Sequence, residues 1–221
     1  MNPWQWRILH FCMHHSRLYF RIHHRYTILR KKPQEKKVFC IGYAKTGTKS
    51  LAKALDILGY RTVRMFKIED LIEHDRNSFR HKIESLRKEN WHSYIEEIKK
   101  HKYDAYVDFP MGYDNLYKAL DAEFPDAHFI LTIRDPNSLA ASYENFYTGS
   151  YFQTTTEEEL KQKMREYSRR NTEILDYFKD RPNKILVLNI IEGDSWEPLC
   201  AFLNTPIPTK KFPKKNVARY G

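Results

Sequence analysis

The chain has 221 residues, a formal net charge of +10 and a pI near 9.4, and 41% of its residues are hydrophobic. This length suits one α/β domain, and the apolar share excludes disorder as the dominant state. The basic charge favours anionic partners such as nucleotides, acidic polymers or an anionic membrane surface. The three cysteines lack the spacing of a disulfide framework or a metal knuckle, which predicts a reducing, cytoplasmic location.

The first 35 residues are predicted to form a basic amphipathic helix ahead of the domain. Apolar residues such as Trp4, Ile8 and Phe11 recur at helical spacing, and arginine and histidine occupy the other faces. Residues 3–29 could therefore dock on the domain or lie peripherally on an anionic membrane. No stretch approaches the roughly 20 apolar residues that span a bilayer, and a signal peptide's apolar core is missing.

Strand and helix patterns alternate from Lys36 onward, which predicts a single α/β domain over residues 36–221. Predicted strands lie in the segments VFCI, YRTVRM, YDAYVDFP, AHFILTIRDP and NKILVLNI. Helices are predicted over about 48–58, 114–124, 137–147 and 157–179 and in SWEPLCAFL, with a helical insertion over about 66–101 after the second strand. Strands separated by helices indicate a three-layer α/β sandwich with a central parallel sheet.

The first candidate site follows the first predicted strand, where the sequence reads GYAKTGTKSLAKAL. A glycine-containing loop between a strand and a helix can hold a phosphate, because the N–H groups that begin a helix have no intrahelical partner. The candidate phosphate ligands of this P-loop-like segment are Lys45, Thr46, Gly47, Thr48, Lys49 and Ser50. Lys45 would reach the transferring end of the ligand. A triphosphatase loop has its lysine directly after the second glycine, but Thr48 stands there, so no metal is expected.

Two segments together resemble the PAPS-dependent sulfotransferases, including carbohydrate-type and bacterial-like members. AKTGTKSL is similar to the loop of that family that binds the 5′-phosphosulfate of PAPS (3′-phosphoadenylyl sulfate), and RDPNSLAASY is similar to its 3′-phosphate site. The resemblance implies that Arg134, at a strand end, and Ser142, eight residues later on a helix, bind the 3′-phosphate. The C-terminal segment FLNTPIPTKKFPKKN resembles the part of the family that closes over the nucleotide.

This chain departs from the family pattern at three positions of the loop. Ala44 replaces the usual proline, Lys49 replaces a threonine, and Ser50 stands where some members place an aromatic residue that stacks on adenine. These departures point away from the enzymes that act on small phenols and steroids. The resemblance therefore implies sulfuryl transfer from PAPS to a hydroxyl of a carbohydrate or glycolipid, leaving 3′,5′-ADP.

The reaction needs a cation at the leaving phosphate oxygen and an acceptor for the hydroxyl proton. Lys45 suits the first task. Asp108, at the end of the third predicted strand, is the first candidate for the second, although it could instead cap a turn or pair with Lys45 or Arg134. Reserve carboxylates lie in the predicted insertion at Glu69, Asp70 and Glu73.

Aromatic residues near the predicted cleft could hold adenine or sugar, although core packing is the simpler interpretation of each. They are Tyr113, Tyr143, Phe146 and Tyr147. Two other functions stay open at this point. One is a nucleotide or small-molecule kinase with Asp108 holding magnesium, and the other is a noncatalytic basic protein that binds nucleic acid or membranes. Nucleic acid is not an expected partner, because no base-reading helix or RNA-binding signature is found.

Overall fold

The computed structural model describes residues 31–64, 88–108, 111–112, 114–148 and 156–215. The remaining segments, and the side chains of residues 146–148, lie outside this description. The described part contains a five-stranded sheet in the order β2-β3-β1-β4-β5, in which all neighbouring strands are parallel. Its strands are β1 Val38–Cys40, β2 Thr62–Arg64, β3 Ala105–Val107, β4 His128–Thr132 and β5 Ile185–Leu188.

Six α-helices accompany the sheet in the described ranges. They are α1 Thr48–Ile57, α2 His92–Lys100, α3 Leu116–Glu123, α4 Pro136–Thr148, α5 Glu157–Phe178 and α6 Trp196–Leu203. Their bounds follow local signals. Gly59 adopts a φ of 94° directly after the C-cap of α1, which suits glycine. Thr156 and Glu159 form a capping box that begins α5.

The sheet is covered on both faces, because successive side chains of each strand point in opposite directions. Val38 and Cys40 of β1 pack with α1 and α6, whereas Phe39 and Ile41 pack with α2, α3 and the C-terminal part of α5. A smaller cluster joins α4 to α5. The predicted three-layer α/β architecture is therefore confirmed.

The central strand β1 determines where the site forms. Phe39 lies opposite Tyr106 of β3 on one side and Phe129 of β4 on the other. The chain runs from β1 towards β2 on one side of the sheet and later reaches β4 on the other side. In such open parallel sheets, ligands bind at the carboxyl ends of the strands where the winding changes direction.

Several predictions fall wholly or partly outside the described residues. These are the amphipathic helix within residues 1–35, the first part of the predicted insertion, Glu69, Asp70 and Glu73, Tyr113, and the side chains of Phe146 and Tyr147. The second part of the insertion forms α2. Among the described helices, none combines the length and the apolar character that crossing a membrane requires.

Candidate active site

The backbone of the loop after β1 prepares the beginning of α1 for an anion. Lys45 has a φ of 71° and Gly47, the N-cap of α1, has a φ of 96°. The amides of Ser50 and Leu51 donate to the Gly47 carbonyl, but no side chain caps the helix and its first turn contains no acidic residue. The positive end of the helix dipole is therefore left to a ligand.

Close backbone contacts fix this loop between the ends of β3 and β4. A Cβ on Gly42 would lie 2.6 Å from the carbonyl oxygen of Thr132 and 2.7 Å from its nitrogen. A Cβ on Gly112, after β3, would lie 2.7 Å from the Gly42 carbonyl oxygen. Three strand ends thus meet backbone to backbone, which only glycine allows.

The three hydroxyl groups of the loop have different surroundings. Thr46 is fully buried, and its hydroxyl donates to the Tyr43 carbonyl at 2.6 Å and lies 2.7 Å from Oγ1 of Thr132. This hydroxyl stabilises the loop internally, so the amide of Thr46 is the group it could offer to a phosphate. Thr48 donates to Asp108 at 3.4 Å, and the Ser50 hydroxyl accepts from the amide of Lys215 at 3.0 Å.

The two lysines of the loop differ in exposure. Lys45 is partly buried, whereas Lys49 is exposed. Burial and the neighbouring charges of Lys49 and Arg134 lower the pKa of Lys45, and Asp108 opposes this shift in part. Lys45 therefore lies in a cluster of positive charge, which an anionic ligand would stabilise.

Arg134 reaches the loop directly from the end of β4. Its Nη1 donates to the Lys45 carbonyl at 3.1 Å and its Nε donates to the Ser138 hydroxyl at 2.8 Å. These contacts use two of the guanidinium's N–H donors, and a guanidinium has about five. The structure thus brings together the two segments that the sequence singled out, which lie 89 positions apart.

The helix that carries Ser142 runs alongside the same loop. The next residue, Tyr143, is buried, and its hydroxyl donates to the Ala44 carbonyl at 3.2 Å. Ser142 itself is partly exposed on α4, two turns beyond Arg134. Its contact with a 3′-phosphate stays a prediction. Tyr143 stabilises the loop and packs in the cluster between α4 and α5.

Asp108 lies at the end of β3, beside the beginning of α1. Its carboxylate accepts a hydrogen bond from Arg64 at 3.0 Å and one from Thr48 at 3.4 Å. Its carbonyl accepts from the Met111 amide at 2.8 Å, which closes a turn. Asp108 therefore makes the turn contact that its sequence position suggested. It also pairs with Arg64, a partner that the sequence did not suggest. Its role as a proton acceptor stays a prediction.

The C-terminal segment crosses from α6 to the first turn of α1. The indole N–H of Trp196 donates to the Lys210 carbonyl at 2.6 Å, and the rings of Trp196 and Phe212 lie 4.9 Å apart. The amide of Lys215 then reaches Ser50. A lysine-rich segment thus lies next to the beginning of α1, close to the loop.

Sequence reasoning missed several residues that build this site. They are Arg64, Gly112, Thr132, Ser138, Tyr167 and Arg170. A usable signal existed for only one of them. Arg170 falls on the apolar stripe of α5 that includes Leu160, Tyr167 and Ile174, and an arginine on such a stripe is unusual.

The fold and this loop define a P-loop-like α/β protein whose site is suited to a phosphorylated ligand. Among the described residues, no group of three or more histidine, cysteine or acidic side chains could hold a metal ion. A family model described as a sulfotransferase domain matches residues 37–154 and 146–220. The chain belongs to the sulfotransferase family, as its resemblance predicted.

The chain is also similar to a curated protein from Aspergillus versicolor. The protein, called Ava biosynthesis cluster protein M, is 27% identical to this chain over 209 residues. The similarity covers 80% of this chain and 79% of the relative. The similarity therefore extends over most of both chains.

Proposed function

We propose that this protein transfers a sulfuryl group from PAPS to a hydroxyl group of a carbohydrate or glycolipid and releases 3′,5′-ADP. Family membership supports sulfuryl transfer in general. The observation that carries the finer proposal is the hydrogen bond from Arg134 to the Lys45 carbonyl. It puts a guanidinium that uses only two of its about five N–H donors in the described contacts beside an uncapped helix terminus, so one bisphosphorylated nucleotide can contact both.

The described residues supply distinct parts of this reaction. PAPS supplies the sulfuryl group, and the acceptor oxygen bonds to sulfur as the bond from sulfur to the phosphate oxygen breaks. Lys45 and the amides that begin α1 neutralise the charge that grows on the leaving phosphate oxygen. Asp108 takes the proton of the acceptor hydroxyl. Arg64 and Thr48 orient its carboxylate before the acceptor arrives.

The acceptor is proposed from two features. The loop departs from the family members that act on small phenols and steroids, and the net charge of +10 favours an acidic or anionic acceptor surface. Residues 3–29 would bring the enzyme to a membrane that carries a lipid-linked acceptor. The relative's name refers to a biosynthesis cluster, so an acceptor panel should include hydroxylated small products beside glycans.

Thermal stabilisation by 3′,5′-ADP tests the nucleotide assignment. The ligand is expected to raise Tm in the presence of EDTA, whereas ATP with magnesium is expected to raise it little, because ATP lacks a 3′-phosphate. Replacing Arg134 by alanine should reduce the shift, since a charge-assisted contact to the 3′-phosphate contributes about 1.5–3 kcal/mol. Differential scanning fluorimetry over a ligand titration gives both results.

Arg169→Ala is a matched control for Arg134→Ala. Arg169 is an exposed arginine of α5 that pairs with Glu173, so its removal should leave the 3′,5′-ADP shift unchanged. Equal stabilisation by 3′,5′-ADP and by ATP with magnesium would favour the kinase alternative and contradict this proposal.

The role of Asp108 is tested by Asp108→Asn. We expect kcat to fall about 100-fold, because an amide cannot take the acceptor's proton. The affinity for 3′,5′-ADP should not fall, because the change removes a negative charge beside Thr48 at the beginning of α1, where the anion is proposed to bind. Asp108 has a φ of 77°, a conformation that asparagine also adopts readily, so the backbone should be preserved.

Steady-state kinetics with PAPS and the best acceptor measure this effect. Asp126→Asn, at an exposed aspartate before β4, is the control and should retain full activity. An Asp108→Asn enzyme with normal kcat would show that another residue accepts the proton.

A further inference from the structure

The long helix α5 carries two buried polar residues one turn apart, Tyr167 and Arg170. Their exposed fractions are 3% and 5%. They stand on the same face because residues three positions apart on a helix are neighbours. The hydrogen bonds described for both side chains run to backbone atoms that closely follow β1 and β4 or lie between β3 and α3, on the side of the sheet where the candidate site lies.

Tyr167 forms hydrogen bonds with both the backbone amide and the backbone carbonyl of Arg134. Its hydroxyl donates to the Arg134 carbonyl at 2.8 Å and accepts from the Arg134 amide at 2.9 Å. The Tyr167 ring also packs against Tyr43 of the loop, with 5.7 Å between ring centroids. One phenol thus fixes the residue whose guanidinium reaches the loop.

Arg170 holds the neighbouring strand ends. Its Nη1 donates to the Ile41 carbonyl at 2.8 Å, its Nε to the Asp114 carbonyl at 3.3 Å, and its Nη2 to the Met111 carbonyl at 3.5 Å. Burial lowers the pKa of Arg170 to about 10, so the guanidinium remains charged at neutral pH. Ile41 directly precedes Gly42, and Met111 directly precedes Gly112, which are the two glycines of the backbone contact described above.

We infer that Tyr167 and Arg170 are positioning residues of the sulfuryl transfer, and that α5 sets the spacing between the two phosphate sites. Tyr167 places Arg134, and so the 3′-phosphate site. Arg170 places the end of β1, and so the loop that receives the 5′-phosphosulfate. Because both residues belong to one rigid helix, the two halves of the site cannot shift independently. This inference rests on the proposed function.

A double-mutant cycle separates positioning from simple stabilisation. Tyr167→Phe removes the hydroxyl and keeps the ring, and it should weaken 3′,5′-ADP binding about tenfold because two hydrogen bonds to Arg134 are lost. In an Arg134→Ala background, the same change should weaken binding less than about twofold, since the guanidinium it positions is gone. Isothermal titration calorimetry on the four proteins measures the coupling.

Arg170→Lys should behave differently in the same cycle. It keeps the charge and loses the planar fork, so 3′,5′-ADP binding should weaken about tenfold in both the wild-type and the Arg134→Ala backgrounds. Tyr177→Phe is the control from the same helix, because its hydroxyl donates to Asp121, away from the site. It should leave the affinity unchanged.

The possible outcomes separate the two proposals. A wild-type protein that does not bind 3′,5′-ADP contradicts the proposed function. A wild-type protein that binds it, with Tyr167→Phe equally harmful in both backgrounds or harmless in both, leaves that function intact and overturns the positioning role. Should Arg170→Lys fail to fold, the Tyr167 cycle alone decides.

Discussion

Lys45→Ala is expected to lower kcat about 1000-fold while PAPS still binds, because Lys45 would act on charge that is absent from PAPS and develops only as the bond to sulfur breaks. Binding of PAPS should persist through the amides that begin α1 and through Arg134. Single-turnover measurements over a range of PAPS concentrations give both the rate of the chemical step and the apparent affinity for PAPS.

Lys53→Ala is the matched control for this variant. Lys53 lies on α1, the helix that follows the loop of Lys45, is about half exposed and pairs with Asp56 on the surface, so its loss should leave kcat unchanged. A Lys45→Ala protein that loses affinity for PAPS as strongly as it loses turnover would show that Lys45 contributes to binding of PAPS and not specifically to the transition state.

The pH dependence of kcat/KM for PAPS offers a second test of Lys45. The ammonium must be protonated to act, and burial with nearby Lys49 and Arg134 lowers its pKa in the free protein. Activity should therefore be full near neutral pH and be lost as pH rises through a value below the pKa of an ordinary lysine, about 10.4. In Lys45→Arg this alkaline loss should move to higher pH, because a guanidinium keeps its proton beyond about pH 12.

Gly42→Ala is expected to lower the free energy of unfolding by about 3 kcal/mol, the upper range for overpacking a tight interior. The new Cβ would lie 2.6 Å from the Thr132 carbonyl oxygen and 2.7 Å from its nitrogen. Both atoms belong to the backbone of the buried strand β4, so neither can move without disturbing the sheet. Urea denaturation measures the loss, and the folded fraction should bind 3′,5′-ADP more weakly because the loop is displaced.

Gly59→Ala separates this steric effect from the general cost of replacing glycine. Gly59 has a φ of 94°, and a Cβ there would be 3.8 Å from its nearest neighbour, so alanine should cost only about 1 kcal/mol of backbone strain. A Cβ on Gly42 would also meet Oγ1 of Thr132, so adding Thr132→Ala to Gly42→Ala removes that side-chain contact and leaves the backbone clash. Recovery of stability in that double variant would contradict the backbone contact between β1 and β4.

The sequence was sufficient to predict the fold class and the order of its elements. The strands β1, β3 and β4 lie in short, mainly apolar runs, and α5 begins at a capping box. These signals are local, since they depend on residues within one or two turns of each other. The loop at Gly47 was also identified, because a glycine-containing loop between a strand and a helix can hold a phosphate, and the arginine at the end of β4 was identified from the resemblance to the sulfotransferases.

Only the tertiary structure decided which side chains meet at that edge. Asp108 pairs with Arg64, 44 positions away, and the hydroxyl of Thr46 contacts Thr132, 86 positions away. Arg170 reaches Ile41 across 129 positions. Such contacts follow from how the crossover connections stack helices on the sheet, and no local spacing in the chain encodes them. The sequence by itself therefore determined the elements and the two candidate phosphate sites, and the packing of α5 against the strand ends determined their relative position.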